Sequence, residues 1–411
     1  MTSPVPHAPA TTPERGRAAS GWWRPARLAL GTAAALGFSR FAYGLLVPAM
    51  RADLGWSLAQ AGTLTTANSL GYLVGAVAAG PVARRLTETA TFRLGMVLTA
   101  VTLAATAATG SYPVLLLTRV AAGVAGALVF IAGGVLASRA AAIRGSALPL
   151  TIYFAGAGLG IALSGAIIPP LLSHHASRWP LAWAGLAAAS ALAAVLSWAA
   201  AADGARDRAG AAGDAAGRTA AAAPLVDWRA VVRMWRVALA YLLFAGGYIA
   251  YITFLSAYLT AHNASVTQVA VTWAALGVAA IAEPVLWSSA VYGWPGARAL
   301  AAALAAISAA AVVAIASADP AAVIVSAVGY GVSFLVVPAA ITRLVHADVP
   351  RTNWTAALAA FTVVFAAGQM AGPYLAGVLA DSYGAGATLV WTAALCAAGS
   401  LVSLTVRPSR R

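Results

Sequence analysis

The sequence has no lysine, a single cysteine and few acids: all 25 basic residues are arginine, and 11 acids stand against them in 411 residues. Without lysine, a phosphate loop of the GxxxxGK type cannot be built, which excludes an ATP-driven motor in this chain. Cys396 alone allows neither a disulfide nor a cysteine metal site to be inferred. The HExxH and GxSxG signatures and any CxxC pair are missing too. No catalytic constellation, metal site or cofactor site remains, so an enzyme is not expected. Charged residues make up only 9% of the chain, against about a quarter in soluble proteins.

What the chain has instead is apolar length. The hydrophobic fraction is 61% and the mean hydropathy +0.83, more apolar surface than one soluble core can hide. A membrane-spanning helix needs roughly 20 apolar residues. Candidates run from Leu28 to Val47, Leu58 to Ala79, Leu94 to Ala108, Val114 to Ala137, Leu148 to Leu172 and Leu181 to Ala200. Six more run from Val237 to Leu259, Val269 to Ala290, Leu300 to Ala316, Ala321 to Leu344, Trp354 to Leu379 and Leu389 to Val406. The expectation is an all-α polytopic membrane protein of twelve helices.

A net charge of +14 would suggest a nucleic-acid partner in a soluble protein. Here the arginines fall on alternate loops. With the N-terminus in the cytoplasm, 21 of the 25 lie on cytoplasmic segments; only Arg51 and Arg178 face the other side, and Arg40 and Arg119 fall inside helices. The positive-inside rule places both termini in the cytoplasm, and the partner is the bilayer, with no nucleic acid. Residues 1–26, rich in Pro, Thr, Ala and Arg, read as a disordered lead-in. A cleaved signal peptide is the competing reading, but its apolar region spans about 7 to 15 residues, and Leu28 to Val47 is longer and interrupted by Arg40.

The longest polar interruption is the mixed-charge stretch 201–233, which reads as a flexible cytoplasmic linker between a six-helix unit at 27–200 and another at 234–406, with a short tail at 407–411. Weak internal matches support a duplicated transporter unit. Gly37 and Phe38 precede Gly247 and Tyr248 by 210 positions, and Gly165 with Pro169 and Pro170 has the spacing of Gly368 with Gly372 and Pro373.

Polar residues inside the spans are the candidate functional groups. Arg40 lies 13 residues after Arg27, roughly 20 Å along a helix, deep enough to face a polar cavity and hold an anionic group. Tyr43, Gly44 and Val47 share its face. The competing reading is snorkelling, or a structural bond to backbone carbonyls. For Arg119, about two turns from the outer end of its helix, snorkelling competes more strongly. Glu283, the one acid within a span, precedes Pro284; a buried carboxyl group can bind and release a proton near neutral pH, as proton coupling needs. Its bland alternative is a cap or an arginine partner near the cytoplasmic interface. Tyr241, Phe244, Tyr248, Tyr251 and Tyr258 share one face of the seventh helix. The end tyrosines suit packing and interfaces, whereas Tyr248 and Tyr251 suit a cavity wall. Asn68 and Gln369 fit interhelical bonds or solute contacts.

The stretches GFSRFAYGLLVPAM (Gly37 to Met50), LAQAGTLTTANSLGYLVGA (Leu58 to Ala76), GYIAYITFLSAYL (Gly247 to Leu259) and GQMAGPYLAGVLAD (Gly368 to Asp381) resemble the YbfB/YjiJ-like branch of the major facilitator superfamily. The resemblance spans Arg27 to Val406. It implies two six-helix bundles around a central cavity, alternating access by rocking of the bundles, and monomeric function in the inner (plasma) membrane of a bacterium. Gly75, Gly80, Arg84 and Arg85 are similar to the superfamily's gating loop without its usual aspartate. Arg119 with Gly123 is similar to its fourth-helix motif, and Gly156, Gly165 and Pro170 partly match the fifth-helix motif associated with antiporters. On this reading Arg40, Tyr43, Asn68, Tyr248, Tyr251 and Gln369 bind a small organic solute. Glu283 and Arg119 serve a coupled proton, and Arg84 and Arg85 serve the gate. Two other readings stay open: efflux of drugs or metabolites, and a membrane sensor or scaffold that transports nothing.

Overall fold

The structure, a computed structural model, describes residues 23–173, 175–211 and 226–406. Among these, helices account for almost everything and no strand occurs. Twelve long helices cross the fold: α1 (Trp23–Leu54), α2 (Leu58–Leu86), α3 (Glu88–Ala107), α4 (Tyr112–Arg144), α5 (Leu148–Leu172) and α6 (Trp179–Ala211). After a short helix, Trp228–Arg233, come α7 (Trp235–Ala261), α8 (Val266–Gly293), α9 (Arg298–Ala316), α10 (Pro320–Asp348), α11 (Trp354–Tyr383) and α12 (Ala387–Leu404). Eleven of them are long and apolar enough to cross a membrane, so this is a multi-pass membrane protein. The twelfth, α2, is diluted by Thr63, Thr65, Thr66, Asn68 and Ser69. Its polar atoms are satisfied within the protein: Thr63 donates to Ala59 O at 2.9 Å and Thr66 to Met370 O at 2.6 Å.

Most helices outrun their apolar stretches because caps, not hydropathy, stop them. Gly55 ends α1 and Gly145 ends α4, both left-handed at φ 68° and 59°, where glycine carries no steric cost. Ser57 and Gln60 form a reciprocal capping box at the start of α2. α1 is already helical at Trp23, the first described residue, inside the segment expected to be lead-in. α6 continues through Ala211, into the stretch expected to be linker; its run of alanine favours helix. The remaining lead-in (1–22), linker residues 212–225 and the tail 407–411 lie outside the described residues.

The packing is two-fold repeated. In the first half α1 packs on α5 and α6, α2 on α4, and α3 on α4 and α6. In the second half α7 packs on α11 and α12, α8 on α10, and α9 on α10 and α12. Each pairing thus recurs six helices later. Between the halves α2 packs on α11, α5 on α8 and α1 on α7, again a symmetric set. The glycine matches seen in the sequence do not occupy equivalent contacts, however. Gly37 meets Gly160 of α5, whereas Gly247 meets Leu395 and Cys396 of α12; Gly246 is the residue that meets α11, at Gly372.

The halves meet most closely toward the end of the fold where α1 finishes and α2 begins. There Gly44 abuts Ile252 O, Gly62 abuts Pro373 O and Gly377 abuts Leu58 O, and deeper along the second seam Gly158 meets Gly277. Asp381 at the end of α11 closes the first seam: Leu58 N–H donates to its Oδ1 at 2.7 Å and Ala59 N–H to its Oδ2 at 3.0 Å. A carboxylate on the first free N–H groups of a helix meets both an unfilled bond and the positive end of the helix dipole.

A Cβ on Gly62 would lie 2.2 Å from Pro373 O, whereas Gly185 in α6 has open space. Gly62→Ala is expected to destabilise the protein by about 1–3 kcal/mol through overpacking, and Gly185→Ala to be neutral or to gain up to about 1 kcal/mol. Melting temperatures of the two purified variants check this; equal shifts would refute the tight seam.

Candidate functional site

Midway along α1 the winding loosens. Residues Ala33–Phe41 form a π-helical stretch, in which Ala42 N–H donates to Gly37 O, five residues back, at 2.9 Å. Such stretches are rare and concentrate at functional sites. This one carries Ser39 and Arg40 side by side. Consecutive positions point in different directions, so the two residues serve different neighbours.

Arg40 is buried, at 7% exposure, so it does not snorkel. Its Nη2 donates to Ser69 Oγ at 3.3 Å, and its guanidinium lies 5.0 Å from the centroid of the Tyr72 ring. The Tyr248 hydroxyl of α7 lies beside it from the other half. Gln369 Nε2 of α11 donates to that hydroxyl, and Tyr330 of α10 fixes the same residue's backbone by donating to Tyr248 O at 2.6 Å. Arg40 Nε has no partner, and no carboxylate pairs with Arg40 among the described residues. A buried guanidinium without an ionic partner is costly, and Arg119, whose Nε and Nη2 also lack partners, shares that cost.

Arg119 is more completely buried, at 1% exposure, so the competing reading of snorkelling is not realised. Its Nη1 donates to Ser39 O at 2.6 Å, gripping the π-helical stretch, while the Tyr43 and Trp183 rings lie 4.9 and 5.5 Å from its guanidinium. Asn68 Nδ2 donates to Arg119 O at 3.2 Å, and the Tyr43 hydroxyl donates to Ala61 O at 2.9 Å. Tyr43 and Asn68 therefore serve Arg119, one layer behind Arg40. Gly123 permits this layer, since a Cβ there would lie 2.1 Å from Asn68 O.

Tyr251, expected on a cavity wall, is fully buried; its hydroxyl meets Ser326 Oγ at 2.7 Å and its ring stacks on Tyr330 at 4.0 Å. It supports Tyr248 through Tyr330 and touches no open space. The shared tyrosine face of α7 belongs to a larger aromatic stack: Phe244 lies 4.6 Å from Tyr248, Phe365 4.7 Å from Tyr241 and 5.8 Å from Tyr248, and Phe334 6.2 Å from Tyr248. Phe334 comes from the break in α10 between Gly331 and Val336, and meets Phe41 of α1 edge-on at 6.0 Å.

Glu283 is buried in α8 at 6% exposure, with no hydrogen bond or ion pair among the described residues, so the expected alternative of an arginine partner is not realised. Pro284 has no N–H for the carbonyl of Ala280, which weakens the helix beside it. Arg84 and Arg85 are exposed in the last turn of α2, at the end of the fold opposite Asp381. Near them Arg139 Nη2 pairs with Glu88 Oε1 at 2.9 Å, tying α4 to α3 within one half. Among the described residues no group of His, Cys, Asp and Glu could hold a metal ion.

The sequence reading missed Ser69, Tyr72, Phe334 and Phe365. Two of these were within reach of helical spacing: Tyr72 follows Asn68 by four residues and Phe365 precedes Gln369 by four, which puts each pair on one face.

Two pseudo-symmetric bundles of six membrane helices, with a buried polar site where they meet, define a transporter of the major facilitator superfamily. The chain belongs to the family described as uncharacterised MFS-type transporter YbfB, whose model matches residues 32–406. Among solved structures, the chain resembles the nucleoside transporter NupG, solved as a mutant, at 12% identity, covering 93% of this chain and 98% of that one with a TM-score of 0.71. It also resembles a bacterial homolog of the human lysosomal transporter Spinster, inward-facing and unoccupied, at 17% identity, covering 95% and 99% with a TM-score of 0.67. At these identities the likeness is one of fold. Curated proteins offer no match.

Arg119→Ala is expected to lower stability by about 3–5 kcal/mol, since it empties a buried site and strips Ser39 O of its donor. Arg119→Lys should cost less, because it keeps the charge but not the planar fork. Thermal unfolding of purified variants tests the order; an alanine variant as stable as the parent would remove Arg119 from its structural role.

Proposed function

We propose that this protein is a secondary active transporter that moves a small organic solute by alternating access and couples the movement to protons. One observation carries the reading: Arg40 is buried without a carboxylate partner where the two bundles meet, facing Tyr248 and Gln369 of the opposite bundle. A solute with an acceptor group would be held by residues of both bundles and released when they part. Ser69 and Tyr72 complete the contacts, while Tyr43, Asn68 and Tyr251 hold them in place.

The arginine distribution favours cytoplasmic termini in a bacterial inner membrane. In that orientation the seam closed by Asp381 faces outward. Arg84 and Arg85 then lie at the cytoplasmic end, our candidates for the gate.

Glu283 is our candidate for the coupled proton, since a carboxyl group buried without a partner is stable there only when neutral and changes state when the cavity admits water. Arg119, buried behind Arg40, is our second candidate for a part in coupling.

Arg40→Ala should abolish solute uptake into cells or proteoliposomes while the protein still inserts and elutes as a folded species; full activity would sink the assignment. Glu283→Gln should lose accumulation driven by a pH gradient yet retain solute exchange at equal concentrations. Accumulation like that of the parent would remove Glu283 from coupling.

A further inference from the structure

The surroundings of Arg40 also restrict what the solute is, an inference that rests on the transport reading above. We infer that the solute is a planar aromatic monocarboxylate of one or two rings, its carboxylate on Arg40 and its ring between Tyr72 of the first bundle and Phe365 and Tyr248 of the second.

Charge comes first. Two buried guanidiniums carry unpaired donors, Arg40 at Nε and Arg119 at Nε and Nη2, but Arg119 has its face covered by Tyr43 and Trp183 and its Nη1 on Ser39 O, and Arg40 is the one that meets the opposite bundle, at Tyr248. A single planar fork flanked by the hydroxyls of Ser69 and Tyr248 matches one carboxylate, with a single negative charge. A zwitterion would need an anionic partner for its ammonium group, and among the described residues the one acid buried in a span is Glu283, which has no contact with the Arg40 group. A sugar would need many donors and acceptors, and the groups around Arg40 amount to two hydroxyls, a phenol edge and the Gln369 amide.

Aromatic rings border the charge on both sides. In the first bundle Tyr72, Phe130 and Phe154 form a chain with centroids 6.4 and 5.4 Å apart, each ring half-buried. In the second, Tyr241, Phe244, Tyr248 and Phe365 are nearly parallel, within 22° of one another, and Phe365 is half-buried. Arg40 touches both sets, its guanidinium over the Tyr72 ring and beside the Tyr248 hydroxyl. Phe130 and Phe154 also line a separate open recess between α4 and α5, which includes neither Arg40 nor any residue of the second bundle. Such walls favour a flat π-system stacked on their faces, and an aliphatic acid would leave that preference unused.

The test uses the full chain, purified in detergent and in proteoliposomes. Binding is followed by thermal shift and tryptophan fluorescence with benzoate and 2-naphthoate as probes. Acetate, cyclohexanecarboxylate, benzylammonium, benzyl alcohol and uridine are the comparisons. Benzoate or naphthoate should bind, and each comparison should bind at least roughly tenfold more weakly or not at all. Arg40→Gln should weaken the aromatic acids by roughly ten- to a hundredfold, as for a lost bond to a charged group, and Phe365→Leu by roughly three- to tenfold. Phe365→Leu keeps the test decisive if the Arg40 variant does not fold. Equal or tighter binding of cyclohexanecarboxylate, acetate, uridine or the cation, or binding of no probe, overturns the aromatic acid. Labelled benzoate that binds but shows no counterflow in proteoliposomes would instead overturn transport and leave the ligand class standing.

Discussion

The guanidinium of Arg119 on the carbonyl of Ser39 is the contact on which the centre of this protein depends. It joins α4 to the π-helical stretch of α1 at 2.6 Å, inside a layer with no exposed surface. Because the bond goes to the backbone, it fixes where α1 runs and so where the next residue, Arg40, presents its charge. Tyr43 and Trp183 cover the cation, and Asn68 secures the backbone of Arg119. Ring faces and a carbonyl thus offset part of the desolvation that a buried cation suffers. The two arginines hold different neighbours: Arg119 bonds the backbone of α1, and Arg40 bonds Ser69 and meets Tyr248 of the other half.

Much of the fold was legible in the sequence. Twelve apolar stretches correspond to twelve helices, and α5 has the limits expected for it, Leu148 and Leu172. Elsewhere hydropathy marked the part of each helix that meets hydrocarbon, while the helix itself ran on to its cap, as from Ala79 to Leu86 in α2. The duplication was also legible, but its glycine register was not. Gly246 rather than Gly247 makes the contact with α11, because a one-residue offset turns a side chain by about 100° on a helix.

The site was legible in part. Counting residues from a helix end put Arg40 deep in its span and Arg119 about two turns from the start of its helix, as the structure has them, but could not show that Tyr43 and Trp183 cover Arg119 there. Rotation about the helix axis was harder. Tyr248 and Tyr251 share a face of α7 three residues apart, yet one reaches Gln369 and the other is enclosed by Ser326 and Tyr330. That difference is made by α10, whose break turns Phe334 toward Tyr248 and leaves Tyr330 against Tyr251. Neither the break nor the π-helical stretch has a marker in composition, since each is imposed by neighbours that pack against it.

The closed end of the fold is less symmetric than its helix pairing. The α2/α11 seam has a carboxylate, Asp381, seated on two backbone N–H groups, and the matching start of α8 at the α5/α8 seam is capped by its own Ser265, with Gln268 N–H donating to the serine at 3.1 Å. Bonds to a charged group are worth about 1.5–3 kcal/mol each, so the two seams resist parting unequally. The α2/α11 seam is thus tied by a charge, while the α5/α8 seam rests on close packing of the kind seen where Gly165 meets Trp273.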